Sequence, residues 1–263
     1  MSTIKVMAVQ VGWTPNKEEN LRRALDLIER GFQQYGQADI VCLPEFFYES
    51  PTYKNRETVG EPLEGAFYQT LSRCAAAHQV NMITGTFPQK KDGKLYNTCL
   101  AIDRGGNLLG EYSKVHLFDA LDRKESDYLT AGRRHGIFEF DCGKVGVAIC
   151  YEVRFCEYLR TLALQDIDLL AIPAMFYRPR QDQWDLLVRG AALNHVLYVV
   201  TANQYNKHCF GRSQIIDPCG LPLAQAADRE DVIFTCIDTA YQKQMRDDLA
   251  VYENRVPEMY DIK

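Results

Sequence analysis

A chain of 263 residues, 46% hydrophobic and 25% charged, suits one large α/β domain and is long enough to bury a sizeable core. Its formal net charge of −5, with no dense Lys/Arg cluster, argues against a nucleic-acid or anionic-membrane surface. The first residues lack a basic leader and a cleavage signal, and the apolar runs are far too short to span a bilayer, so a cytoplasmic protein with no membrane partner is expected.

In chain order, "IKVMAVQV" alternates as a strand does. Thr14 to Asn16 turns the chain, and Asn16 is placed to cap a helix, with Glu19 three residues on. Leu21, Ala24, Leu25, Ile28 and Phe32 then repeat at helical spacing as far as Gly36. "ADIVCLPE" opens a buried strand. Further helices are expected over 65–78, 157–165 and 182–195. Strands are expected over 81–86, 98–103, 145–150, 169–172, 198–202, 212–216 and 232–237. "DRGGNLLGEY" reads as a hairpin around Gly105 and Gly106. No linker or low-complexity tract interrupts the series, which predicts a single domain over 1–263.

One stretch echoes another. "ADIVCLPEFF" (38–47) and "IDLLAIPAMF" (167–176) each run from an acidic residue through a buried strand to proline and then aromatics. Both would deliver a loop to the carboxyl end of a strand, where open α/β sheets bind ligands. The echo suggests two similar halves.

The nine cysteines include no C-x-x-C, and the five histidines show no zinc spacing, so neither a disulfide framework, a metal site nor a cofactor is called for. Cys42, Cys99 and Cys236 sit in apolar stretches and read as small core hydrophobes. Cys150 differs. In "VGVAICYEVRF" an apolar strand stops at the cysteine, and Glu152 and Arg154 follow at once. A nucleophilic thiol needs a base or a cation beside it, and a carbonyl it attacks needs donors for the developing oxyanion. Glu45 in "LPEFF" and Lys114 in "EYSKVHLFD" supply a carboxylate and a cation, each in a mostly apolar context. Taken singly, each residue has a plainer reading. Cys150 could be a packed structural thiol, Glu45 a helix N-terminal carboxylate, and Lys114 a solvated charge at a hairpin end.

"CLPEFF", "YSKVHLFD" and "AICYEVRF", in that order and spacing, resemble the three signature segments of the nitrilase superfamily of carbon–nitrogen hydrolases. The resemblance covers nearly the whole chain, including "YNTCLAIDRGGNLLGEY", "GRSQIIDPCG" and "YENRVPEMY". It implies a four-layer α-β-β-α sandwich that pairs into an eight-layer homodimer, and the charges and scattered apolar residues of 241–263 fit a C-terminal arm on the neighbouring subunit, unless the tail wraps on its own domain. It also implies a catalytic triad of Glu45, Lys114 and Cys150. Glu125 in "KESDYLTAG" would be a second glutamate near the lysine, unless "RKESD" is only a charged surface loop. Glu45 would be the general base, while Lys114 and the backbone N–H of Tyr151 would hold the oxyanion. His116, beside the lysine, would order the loop rather than act as base.

"CYEVRF" resembles most closely the ω-amidase and deaminated-glutathione amidase branch, with Glu152 in place of the usual aspartate and Cys156 in place of a common proline. Arg154 would then bind a substrate carboxylate, unless it merely pairs with Glu152 or Glu157; Glu152 would anchor the turn or pair with a cation. "FYRPR" replaces the small, hydroxylated residues of that pocket, which brings Tyr177 and Arg178 into question as substrate contacts. The expected activity is hydrolysis of a small carboxylate-bearing amide, an ω-amide of a 2-oxo acid, through a cysteine thioester with release of ammonia. An N-carbamoyl amidase of the same fold is the nearest alternative. From other classes, a catalytically silent binding protein or a redox-sensing thiol protein stays open, the latter with Cys156 as the near partner in sequence.

Overall fold

The computed structural model describes residues 3–260. Its first half runs β1 (Thr3–Gln10), α1 (Lys17–Tyr35), β2 (Ile40–Cys42), α2 (Ala66–His78), β3 (Asn81–Ile83), β4 (Phe87–Lys91), β5 (Lys94–Ile102) and β6 (Leu108–Ser113). A small hairpin of β7 (Asp119–Ala120) and β8 (Arg123–Lys124) follows. The second half runs β9 (Gly136–Phe140), β10 (Gly143–Val147), α3 (Cys156–Ala163), β11 (Leu169–Ala174), α4 (Gln181–His195), β12 (Tyr198–Asn203), β13 (Gln214–Ile216) and β14 (Pro222–Gln225). β15 (Asp231–Asp238) and α5 (Thr239–Leu249) close the chain.

Two sheets result. In the first, β1, β2 and β3 are parallel, and β5 and β6 continue antiparallel, with β4 prolonging β3 along the same edge of β5. In the second, β10, β11 and β12 are parallel, and β13 and β14 continue antiparallel. An antiparallel strand flanks each parallel trio, β15 against β1 and β9 against β10. Each half is therefore the same β-α-β-α-β unit. The 38–47 and 167–176 echo marks β2 and β11, the middle strands of the two trios.

Alternation explains the layering. Ile4, Val6 and Ala8 of β1 face inward and share one core with Val145, Val147 and Ala171 of the other sheet. Met7 and Val9 point the other way and pack with Leu21, Ala24 and Ile28 of α1 and Phe67 and Leu71 of α2. Leu159 and Leu162 of α3 and Trp184 and Val188 of α4 cover the outer face of the second sheet. The order is helices, sheet, sheet, helices. Each fully buried Val, Ile or Leu here contributes about 1.5–3 kcal/mol. The start of α1 is set as its sequence predicts, since Asn16 Oδ1 accepts the Glu19 N–H at 2.9 Å.

Three expectations need correction or detail. The strand over 145–150 stops at Val147, and Cys150 opens a 3₁₀ turn, Cys150–Arg154. The apolar run continues past the strand because the turn itself is buried. Cys236 is exposed rather than core, because it pairs with Lys5 on the solvent-facing side of the β15 edge. Much of 241–263 is tied to its own domain. Buried Gln242 accepts the Tyr198 N–H at 2.7 Å and donates to the Ile167 carbonyl at 3.1 Å. Tyr252 Oη donates to the His195 carbonyl at 2.5 Å. Beyond it, Met259 and Tyr260 lie exposed, and 261–263 fall outside the described residues.

Candidate active site

Glu45 lies just beyond β2, in a loop rather than at a helix start. Gly85 lets that loop pack closely: it has φ +68°, and a Cβ there would sit 2.1 Å from the Pro44 carbonyl oxygen. Glu45 is 1% exposed and its carboxylate is fully engaged. Oε1 accepts Asn97 Nδ2 at 2.8 Å and Lys114 Nζ at 3.0 Å, and Oε2 accepts the Met175 N–H at 2.9 Å. Gln204 Nε2 holds the Glu45 carbonyl at 2.7 Å.

Lys114 follows β6, its N–H bonded to the Asn97 carbonyl at 2.9 Å. It is no solvated hairpin charge, being 1% exposed. Nζ bridges Glu45 and Glu125, 3.1 Å from Glu125 Oε2. That same oxygen accepts the Phe118 N–H at 2.8 Å, so Glu125 belongs to the buried cluster and not to a surface loop. Burial alone would lower the lysine, but the charges of Glu125 and Glu45 together hold it well above the ordinary lysine range. It stays an ammonium.

Cys150 has φ +51°, a left-handed conformation that turns its side chain out of the strand direction and costs a non-glycine residue about 1–2 kcal/mol. Burial pushes the thiol well above its ordinary range and the adjacent Glu45 carboxylate adds to that, while Lys114 and the Met175 N–H oppose it. The resting sulfur is therefore a neutral thiol beside a carboxylate. The turn's first hydrogen bond runs from Glu152 N–H to the Ile149 carbonyl, leaving the Tyr151 N–H outside that ladder.

Glu152 holds this strained turn. Fully buried, it accepts the N–H groups of Ile149 (2.7 Å), Val115 (2.9 Å) and His116 (3.1 Å) and the hydroxyl of Tyr112 (2.8 Å). One carboxylate thus clamps the cysteine turn to the segment just after Lys114. His116 stacks on Phe155 with centroids 4.0 Å apart and meets Glu152 through Nδ1 at 3.3 Å, ordering the loop.

Glu45, Lys114, Glu125 and Cys150 line one cavity of about 600 Å³, together with Tyr151, Arg154 and Tyr177. Arg154 is exposed at its rim and donates to Gln183 Oε1 at 2.7 Å, not to Glu152 or Glu157. Arg123 lies 4.1 Å over the Tyr177 ring. Arg178 turns away toward the Asn206 carbonyl, and Arg180 faces the cavity instead. Burial raises the Tyr177 hydroxyl above its ordinary range, with Arg123 opposing.

The structure brings Glu45, Lys114, Glu125, Cys150, Tyr151, Arg154 and Tyr177 into this cavity and leaves Arg178 outside it. Sequence reasoning misses Asn97, Met175, Gln204, Arg123 and Arg180. The "YNTCL" strand offers a signal for Asn97, a lone amide amid buried apolar residues. The backbone N–H of Met175 and the choice of Arg180 over Arg178 leave no signal in composition or spacing. No group of three or more His, Cys, Asp or Glu among the described residues is arranged to hold a metal ion.

A family model described as carbon-nitrogen hydrolase matches residues 5–247. Omega-amidase NIT2 of Xenopus tropicalis is 33% identical across 100% of this chain and 99% of its own length. The Homo sapiens omega-amidase NIT2 is 30% identical over the same shares. The crystal structure of Saccharomyces cerevisiae Nit3, a member of branch 10 of the nitrilase superfamily, superposes with a TM-score of 0.87 at 29% identity, covering 94% of each chain. XC1258 from Xanthomonas campestris, a CN-hydrolase superfamily protein with an arsenic adduct in its active site, shares the fold with a TM-score of 0.89 at 22% identity over 100% of both chains.

Proposed function

The chain belongs to the carbon–nitrogen hydrolase family, and on that premise we propose that it hydrolyses the ω-amide of a small 2-oxo acid through a thioester on Cys150. The observation carrying this reading is the buried set of Glu45, Lys114 and Glu125 around a thiol in an arginine-rimmed cavity.

A neutral resting thiol needs its proton removed as it attacks, and Glu45 is the adjacent carboxylate. The sulfur adds to the amide carbon, and the oxyanion is held by the Lys114 ammonium and the Tyr151 N–H. Collapse breaks the C–N bond, and Glu45 returns its proton to the departing nitrogen, which leaves as ammonia. Glu45 then takes a proton from water as it attacks the thioester carbon. The second collapse frees the acid and the sulfur recovers its proton. Glu125 keeps Lys114 aimed and charged throughout. Arg154 pairs with the substrate's carboxylate, its planar fork suiting that group, and Tyr177 lines the wall beside it.

The nine free cysteines fit a reducing, cytoplasmic setting. Among the described residues, no helix is long and apolar enough to cross a membrane. We further propose that residues 1–263 form one domain that works as a homodimer. Exposed Leu186 and Leu193 on α4, and Met259 and Tyr260 in the arm, would meet the second subunit there.

Ammonia release measured over a panel of ω-amides, N-carbamoyl compounds and nitriles tests the reaction. Turnover of ω-amides alone, with an acyl adduct on Cys150 by mass spectrometry and its loss in Cys150→Ala, is the expected result. Preferred turnover of N-carbamoyl compounds, with carbon dioxide released as well, would replace the substrate assignment.

A further inference from the structure

Three guanidinium groups share one aromatic wall of the cavity. Arg180 lies 5.4 Å from the ring centres of both Phe118 and Phe176 and 5.9 Å from that of Tyr177. Arg154 shares the Phe176 ring at 5.8 Å, and Arg123 shares the Tyr177 ring at 4.1 Å. Ring faces attract cations, but they do not neutralise them. Among the described residues, no carboxylate lies within ion-pair distance of any of the three, and the Arg180 guanidinium makes no hydrogen bond. Like charges gathered this way repel one another unless an anion sits among them.

One carboxylate can engage Arg154 and leaves Arg180 and Arg123 without an anion, the Arg123 guanidinium having, among the described residues, only the Tyr177 hydroxyl as a hydrogen-bond partner at 2.5 Å. The cavity, about 600 Å³, is also larger than a short acyl amide requires. We propose that Arg180, with Arg123, is a second anion subsite, and that the preferred substrate is an amide bearing two separate acid groups. The first pairs with Arg154, and the second lies against the Phe118–Phe176–Tyr177 wall between Arg180 and Arg123. This rests on the amidase reading of the same cavity. It differs from it in demanding a second negative charge away from the reacting amide. The aromatic rings neighbour the Arg180 guanidinium without using its N–H groups, so all five donors stay available to an anion.

Matched ω-amides with one and with two carboxylates provide the test, assayed by ammonia release with wild-type enzyme, Arg180→Met and Arg180→Lys. Wild type is expected to favour the diacid in kcat/KM by about ten- to a hundredfold, the worth of one charged hydrogen-bonded contact. Arg180→Met should erase that ratio through KM for the diacid, with kcat little changed. Arg180→Lys should restore part of it. A wild-type enzyme that treats the two amides alike, or a ratio untouched by Arg180→Met, overturns the second subsite while leaving the amidase reading intact. Failure of wild type to release ammonia from either amide, with no acyl adduct on Cys150, removes the amidase reading and the subsite with it.

Discussion

The backbone N–H of Met175 donates to Glu45 Oε2 at 2.9 Å, so the loop after β11 holds the carboxylate supplied by the loop after β2. The two echoing segments meet at the reaction centre. They do different work there, one giving the Glu45 side chain and the other, one position further along, the Met175 backbone donor.

Lys114 separates two buried carboxylates. Lys114→Met leaves Glu45 and Glu125 facing each other without a cation, and should cost about 3–5 kcal/mol of stability in urea titrations. Amide hydrolysis should fall by at least about a hundredfold, as on loss of an oxyanion donor. Adding Glu125→Gln should recover part of the stability and none of the activity. Recovery of both would mean that the lysine acts only by neutralising charge.

Glu152 accepts three backbone N–H groups and a tyrosine hydroxyl without contact with solvent. In Glu152→Gln one acceptor oxygen becomes a donor aimed at other donors. A loss of roughly 2–3 kcal/mol is expected, read as a fall of about 5–10 °C in the melting midpoint. Activity should fall with it, because the clamped turn carries Cys150. An unchanged midpoint would show that the turn holds itself.

Arg154 is proposed to bind the substrate carboxylate nearest the amide. Arg154→Met should raise KM for anionic amides about ten- to a hundredfold, and neutral amides of equal length should suffer much less. Equal losses for both classes would assign Arg154 to holding Gln183.

Stability should fall in alkali. Burial pushes Cys42 and Cys150 well above the ordinary thiol range and holds Cys74, Cys99 and Cys209 at about 12. Raised groups stabilise the folded chain below their unfolded values, and that stability is lost as pH climbs toward the folded ones. The unfolded chain releases these five protons from about pH 8.5 while the native one keeps them, a slope of up to roughly 1.4 kcal/mol per pH unit for each thiol. Lys114, also raised, adds its loss at still higher pH. Urea midpoints from pH 7 to 10 should decline, and Cys42→Ala should make the decline shallower. A flat profile would mean that these thiols titrate as freely folded as unfolded.

Much of this is legible in the sequence, and the rest fails for definable reasons. The long α1 announces itself through Asn16 and its apolar repeat, because both are local. The charges of Glu45 and Lys114 stand out because their neighbours are apolar, a context that makes an unpaired charge costly. Cys150 is visible as a residue, but its turn is not, since a buried apolar run looks the same in a strand or just past one. Its turn is clamped by Glu152, three of whose partners, Tyr112, Val115 and His116, lie more than thirty residues away. Arg178 and Arg180 are indistinguishable by composition. The 3₁₀ turn Arg178–Arg180 alone decides which of them faces the cavity.

The division of the chain into two like halves sets the order in which the reaction centre comes into being on the ribosome. Base, ammonium and second carboxylate all emerge within the first 125 residues, and the thiol follows later. Until β11 is laid down and Met175 arrives, Glu45 lacks one of its three donors and Cys150 has no finished cavity. A nascent half-chain therefore carries charges without a nucleophile, and the thiol emerges before Met175, Phe176, Tyr177 and Arg180, so its cavity closes only when the second half follows.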